Sequence, residues 1–148
     1  MAPLLLALHN SVRWLVLLFA LVAFVRALKG INGGVDYATG AKRALSIFVI
    51  SVHLQFLLGV LLYFISPLAR HAMENMGATM KDAGLRYFVV EHPTLMLLGV
   101  IAATVTGVLA RRGPDDSVRH RRAAIGIALS LGLILAGIPW QRPLIPHF

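Results

Sequence analysis

Hydrophobic residues fall into four long blocks that are separated by polar segments. The blocks cover residues 14–25, 44–65, 94–110 and 123–138. A helix needs about 20 mostly apolar residues to cross the hydrocarbon layer of a bilayer, with a range of roughly 17–25. The second block reaches that length alone, and the others reach it with their flanking turns. We therefore predict an all-α fold, an integral membrane four-helix bundle in one domain over residues 1–148. Its helices are expected at about 4–28, 44–66, 93–111 and 117–138.

Small residues recur at four-residue spacing on two of these helices. One stripe is Gly99, Ala103 and Gly107, and the other is Ala128, Gly132 and Ala136. Helices in lipid associate through close packing of small residues rather than through hydrophobicity. Both stripes are therefore predicted to face into a tight bundle.

The composition agrees with a chain that has little water-facing surface. Of its residues, 58% are hydrophobic and 14% are charged, whereas a soluble domain carries about 25% charged residues. The chain has no cysteine. That excludes disulfides, thiolate nucleophiles, iron–sulfur clusters and covalent haem attachment through C-x-x-C-H.

The net charge of +8 predicts an orientation rather than a nucleic-acid partner. Nine of the 14 basic residues lie in the first and third connections: Arg26, Lys29, Lys42, Arg43, Arg111, Arg112, Arg119, Arg121 and Arg122. Short cytoplasmic loops of membrane proteins carry such an excess of Lys and Arg. We expect both termini and the longer 67–92 connection to face outward from a bacterial inner membrane. Residues 81–90 could form a helix on the membrane surface.

Two of the six histidines lie at similar depth on different helices. His9 and His92 are both at the predicted outer ends, whereas His53 lies roughly 15 Å from the other end of its helix, near the midplane. A b-type haem in a helical bundle needs two axial imidazoles at similar depth. His9 and His92 are therefore candidate haem-iron ligands, and His53 is a less favoured one. We predict that Arg13, Arg86 and Trp14 hold the haem propionates at the outer face.

Each histidine also has a plainer interpretation. His9 could be an interfacial residue, and Glu91-His92-Pro93 could be the N-terminal cap of the third helix, with Pro93 as its first residue. His53 could bond a serine or threonine across the bundle, or contact a quinone headgroup together with Gln55. His120, among arginines, is expected to anchor the chain on anionic lipid headgroups.

Four segments together resemble a family of small four-helix bacterial membrane proteins labelled "cytochrome B". They are LHNSVRW, SVHLQFLLGVLLYFISP, MKDAGLRYFVVEHPTLM and RHRRAAIGIALSLGLILAGIPW, and they extend from His9 to Trp140. The resemblance implies haem b and electron transfer, which would fall on His9, His53 and His92. We therefore expect a b-type cytochrome that passes electrons between a quinol and a redox partner.

Two other functions fit the same sequence. The chain could be a haem-free accessory subunit that packs in a larger respiratory or photosynthetic membrane complex, where His53 would bind a chlorin or no cofactor. It could also be a quinone- or lipid-binding enzyme that uses His53 and Gln55. No Ser–His–Asp order, H-E-x-x-H motif or P-loop is present.

Overall fold

The computed structural model describes residues 2–140, and its four longest helices are α1 (Ala2–Lys29), α2 (Ala41–Ile65), α6 (His92–Arg111) and α7 (Asp116–Gly137). Three short helices join α2 to α6: α3 (Pro67–Glu74), α4 (Met76–Thr79) and α5 (Ala83–Arg86). Over these residues the chain has four helices that are long and apolar enough to cross a membrane. The prediction of an all-α chain with four helices long and apolar enough to span a membrane is confirmed. The predicted bounds of α1, α2 and α7 differ from the observed ones by at most three residues.

The third spanning helix begins well before the predicted start at Pro93. A π-helical turn over Tyr87–Glu91 joins α5 to α6, so that one continuous apolar helix extends over Ala83–Arg111. Glu91 has helical backbone angles and its side chain caps no N–H group, so it is not the predicted N-cap. Residues 81–90 are therefore largely the first turns of a spanning helix, and the separate surface helix expected there is not formed.

The four long helices form a ring in which neighbours in sequence are antiparallel. Helices α1 and α6 each contact both α2 and α7, so α1 and α6 lie across the bundle from one another. We call the end that carries His9 and His92 the histidine end. The opposite end, where α1 and α6 finish, is the arginine end.

Alanine and glycine bring the helices close together. Ala20, Ala23 and Ala27 of α1 and Ala103 and Ala110 of α6 are all at most 1% exposed. Gly99 lies against α7, where its carbonyl accepts a 2.8 Å hydrogen bond from the buried Ser130 hydroxyl. Gly99, Ala103 and Gly107 are all buried, as predicted.

The second small-residue stripe faces away from the bundle. Ala128, Gly132 and Ala136 are exposed, and a Cβ added at Gly132 would meet no atom within 4 Å. The buried face of α7 instead holds Ala123, Ala124, Ile127, Ser130, Ile134 and Gly137. The prediction that this stripe packs inside the bundle is wrong, because α7 is rotated so that a different face, which includes Ala123, Ala124 and Ser130, points into the core.

The first connection folds onto the start of α7 and buries His120. The His120 ring is 0% exposed, packs edge-on to Tyr37 at 5.3 Å and lies 3.2 Å from the Val35 carbonyl through Nε2. A Cβ at Gly30 would overlap this ring. His120 is therefore a core residue, and the prediction that it anchors the chain on lipid headgroups is wrong.

Candidate functional site

Proline and a π turn set the position of His92. Because Pro93 has no N–H, the carbonyl four residues earlier receives no helical hydrogen bond from it. That carbonyl, of Val89, accepts a hydrogen bond of 3.1 Å from the Tyr63 hydroxyl of α2. The N–H of His92 bonds to Tyr87 O, five residues back, as a π turn requires. Turns of this kind occur often at functional sites.

A hydrogen bond at the end of α7 fixes the tautomer of His92. Its Nδ1 lies 2.7 Å from the Gly137 carbonyl, which also accepts a 2.8 Å hydrogen bond from the Tyr87 hydroxyl. The last carbonyls of a helix have no partner within the helix. A carbonyl can only accept, so Nδ1 must carry the proton. In the neutral ring, Nε2 then has a free lone pair, which is the state that ligates a metal.

His9 reaches the same region from α1, across the bundle. The Gln55 side chain of α2 donates a 2.9 Å hydrogen bond to the His9 carbonyl. A Cβ at Gly59, one turn further along α2, would lie 3.2 Å from Cε1 of His9, so the glycine leaves room for the ring. The Nδ1 atom of His9 is buried and has no hydrogen-bond partner among residues 2–140. An orphaned imidazole nitrogen in a membrane bundle is costly, and a ligand could satisfy it.

The two imidazoles are close enough to share one metal ion. Their centroids are 6.4 Å apart, and the ring planes are inclined by 74°. With a metal–imidazole bond of about 2.0–2.1 Å and roughly 1.1 Å from nitrogen to centroid, two rings on opposite sides of one ion have centroids about 6.3 Å apart. Two rings in direct contact have a similar separation, so the distance is interpreted together with the space around the rings.

A cavity of about 790 Å³ surrounds the pair at the histidine end. Cofactor sites commonly have volumes of about 300–1,000 Å³ and a mostly apolar lining. Here Phe56, Val100 and Ile134 contribute to an apolar wall, while the polar lining includes Gln55 and Arg13. Some lining residues, such as Phe64, are exposed, so the cavity opens on the surface of the bundle. The space is large enough for a cofactor of haem size.

The donor set suits a porphyrin better than a bare ion. In the described part of the chain there is no group of three or more His, Cys, Asp or Glu side chains that could hold a metal. Two imidazoles alone would leave most coordination positions of a metal ion without a protein ligand. A porphyrin supplies four nitrogen ligands, so two axial histidines complete its iron. The residues present therefore fit haem b.

The three residues predicted to hold propionates are placed differently from one another. Arg13 is 8% exposed and lines the cavity. Trp14 is 44% exposed and lies outside the lining, with the Arg13 guanidinium 5.6 Å from its ring centroid. Arg86 also lies outside the lining, and its Nε donates a 2.7 Å hydrogen bond to Glu91. Only Arg13 is brought to the two histidines.

His53 lies on the outer face of the bundle, at the middle of α2. Its side chain is exposed and does not line the cavity. Nδ1 lies 2.8 Å from the Val49 carbonyl, and Nε2 lies 3.3 Å from the Thr104 hydroxyl of α6. The contact with a threonine across the helix pair is one that the sequence suggested. Gln55 points into the cavity instead, so a quinone site shared by His53 and Gln55 is not assembled.

Several residues of the site were not recognised as such in the sequence. Gly137 and Tyr87 set the orientation of His92, and Tyr63 binds the carbonyl next to Pro93. Gln55 and Gly59 gave a usable signal, because they lie four residues apart and so share a helix face. Nothing in the sequence shows that this face meets His9.

Comparisons with known proteins add no relative from which a role could be transferred. No protein-family model, curated protein or solved structure matches the chain.

Proposed function

We propose that the protein is a membrane b-type cytochrome whose haem would be held by His9 and His92. The observation that supports this most is the pair of imidazoles, 6.4 Å apart, facing one cavity from helices on opposite sides of the bundle. Haem b, when bound, would supply one-electron redox chemistry at its iron. Membrane electron transfer is the role that this chemistry and the family resemblance support.

The chain's own residues prepare the site in three ways. The Gly137 carbonyl holds the Nδ1 proton of His92 and leaves Nε2 for the iron. Gly59 gives the His9 ring space beside α2. The buried Arg13 places a positive charge at the cavity, where its guanidinium could bind a propionate carboxylate through two hydrogen bonds.

The charge distribution supports a particular orientation. The connections at the arginine end carry nine of the 14 basic residues of the chain. By the positive-inside rule, that end would lie in the cytoplasm of a bacterial cell. The haem would then lie near the outer face of the inner membrane, and the cavity opening would allow a quinol or a redox partner to approach it from the side.

A pyridine haemochrome spectrum of the purified protein tests the proposal. Protein from haem-replete cells should contain stoichiometric haem, with a Soret band and a sharp reduced α-band. His9→Ala and His92→Ala should each lose most of the haem. His53→Ala is the matched control, because it removes an imidazole outside the cavity and should keep the spectrum.

A second variant separates loss of haem from loss of folding. Gly59→Leu keeps both imidazoles but adds a side chain beside the His9 ring, so it should also exclude haem. Size-exclusion chromatography and far-UV circular dichroism would verify that each variant is folded. A colourless wild-type protein that is monodisperse and helical would refute the proposal.

A second candidate function is that of an accessory subunit without haem. It is favoured by the exposed small stripe of Ala128, Gly132 and Ala136, a surface on which another spanning helix could pack closely. His53 and Thr104 add an exposed polar pair on a different side of the bundle. Purification in mild detergent would test this role. A stable association with a large membrane complex that is lost in Gly132→Leu, with no haem in the chain, would favour it.

A further inference from the structure

A second, smaller cavity lies at the arginine end, at the opposite end of the bundle from His9 and His92. Its volume is about 220 Å³, and its lining is Tyr37, Ala38, Lys42, Arg111 and Arg119. Three of these five residues are cations. They come from three different elements, namely the start of α2, the end of α6 and the first turns of α7. The tertiary structure, rather than a local basic run, therefore concentrates positive charge here.

Tyr37 contributes a buried hydroxyl group to the lining of this cavity. The residue is 3% exposed, and its hydroxyl oxygen has no hydrogen-bond partner within the described range. The rest of the residue is fixed. Its N–H donates to the Asp116 carboxylate at 3.2 Å, and its ring packs edge-on to His120. A buried hydroxyl without a partner is costly, so it marks a place where a ligand oxygen would be favourable.

The hydroxyl is available as a proton donor. Burial raises the pKa of the Tyr37 phenol, while the nearby positive charges of Arg111 and Arg119 act in the opposite direction. The net effect is a pKa above the ordinary value for tyrosine, so the group is neutral and protonated at physiological pH. A protonated phenol beside cations suits an anionic oxygen.

Two of the three cations form hydrogen bonds with the protein, and their positive charge is only partly neutralised. Arg119 donates 2.9 Å hydrogen bonds to the Gly113 carbonyl and to Asp116. Arg111 makes one long contact, of 3.4 Å, with the Ser46 hydroxyl. Two acids are nearby, Asp116 and Asp36, but neither lines the cavity. Three cations against two carboxylates leave the site positive.

We propose that this basic cavity binds a phosphate group, carried either by an anionic lipid headgroup or as free inorganic phosphate. A phosphate oxygen would accept a hydrogen bond from Tyr37, and Lys42 and Arg111 would supply charge-assisted bonds. The cavity lies where the long helices end, which in a bilayer would be the level of the lipid headgroups. Basic pockets between spanning helices bind anionic headgroups in this way. The proposal does not depend on haem binding.

Two probes distinguish the sources of phosphate. The purified protein in neutral detergent would be titrated with inorganic phosphate at constant ionic strength. In parallel it would be titrated with dioleoylphosphatidylglycerol, with dioleoylglycerol as the lipid that lacks phosphate. Binding would be followed by native mass spectrometry for the lipids and by thermal stabilisation for both. Saturable binding of phosphatidylglycerol alone identifies a headgroup site, and a response to both probes identifies a site for phosphate itself.

Three variants test whether this cavity is the site. Tyr37→Phe removes only the hydroxyl, and Lys42→Gln removes one charge. Each should weaken phosphate or phosphatidylglycerol binding about tenfold. Arg121→Gln is the matched control, because Arg121 is an exposed cation at the same end that does not line the cavity. Affinity unchanged in the first two variants, an equal loss in all three, or no saturable binding of either probe would overturn the proposal.

Discussion

A close contact between α6 and α7 predicts opposite effects for two glycines of α7. A Cβ added at Gly126 would overlap Thr106 of α6 and would lie 2.7 Å from its Cβ atom. A Cβ added at Gly132 would meet nothing within 4 Å. Rotation of the Thr106 side chain cannot relieve the first overlap, because no rotamer moves a Cβ atom. Gly126→Ala must therefore push α6 and α7 apart.

The expected cost can be bounded from the contact. Overpacking a well-packed interior costs about 1–3 kcal/mol. The alanine also gains up to about 1 kcal/mol in intrinsic helix propensity over glycine. Gly126→Ala should therefore lower the free energy of unfolding by about 0–2 kcal/mol, and by about 1–3 kcal/mol relative to Gly132→Ala, which has the same propensity gain. Gly132→Ala gains the propensity without the overlap, so it should be neutral or slightly stabilising.

Unfolding in mixed micelles by titration with sodium dodecyl sulfate would measure both changes. Thr106→Ala provides the coupling test, because it removes the Thr106 atoms beyond Cβ that the added methyl would strike. The cost of Gly126→Ala should shrink in that background, which a double-mutant cycle reports directly. If Gly126→Ala is as stable as Gly132→Ala, the described contact of α6 and α7 is wrong.

Two further predictions concern other parts of the structure. Tyr63→Phe should lower the free energy of unfolding by about 0.5–1.5 kcal/mol, because the Val89 carbonyl loses its hydrogen-bond donor. In a Pro93→Ala background a helical N–H could replace that donor, so the same detergent titration should show a smaller loss. An equal loss in both backgrounds would contradict the role given to Tyr63. His120→Ala should lower the free energy of unfolding by about 2–4 kcal/mol, which is typical when a large buried side chain is replaced by alanine. Arg121 is exposed, so Arg121→Ala should change it little. Equal thermal stability of the two variants would show that the His120 ring is not in the core.

The sequence predicted the helices because the lipid environment leaves few alternatives. A backbone in hydrocarbon must satisfy its own hydrogen bonds, so four apolar blocks of sufficient length must be helices. The sequence could not predict where the third helix begins. Pro93 normally favours a helix start, but here the chain passes through it by way of a π turn, with Tyr63 of α2 bonding the Val89 carbonyl.

Which face of each helix points inward was decided only by the tertiary structure. In a soluble helix the contrast of polar and apolar residues marks the inner face, but spanning helices are apolar all round and carry little such contrast. The two small-residue stripes were therefore equivalent in sequence, yet one is buried and the other exposed. For the same reason the sequence could not show that Gln55 faces the cavity while His53 faces outward.

The candidate site was likewise predicted only in part by the sequence. Sequence position alone put His9 and His92 at the same depth, because a constant rise per residue fixes depth along a helix. Their approach to 6.4 Å depends on the rotation of α1 and α6 and on the Gly137 carbonyl that orients His92. The basic cavity around Tyr37 was likewise invisible in the sequence, since its cations come from separate elements that meet only when the bundle closes.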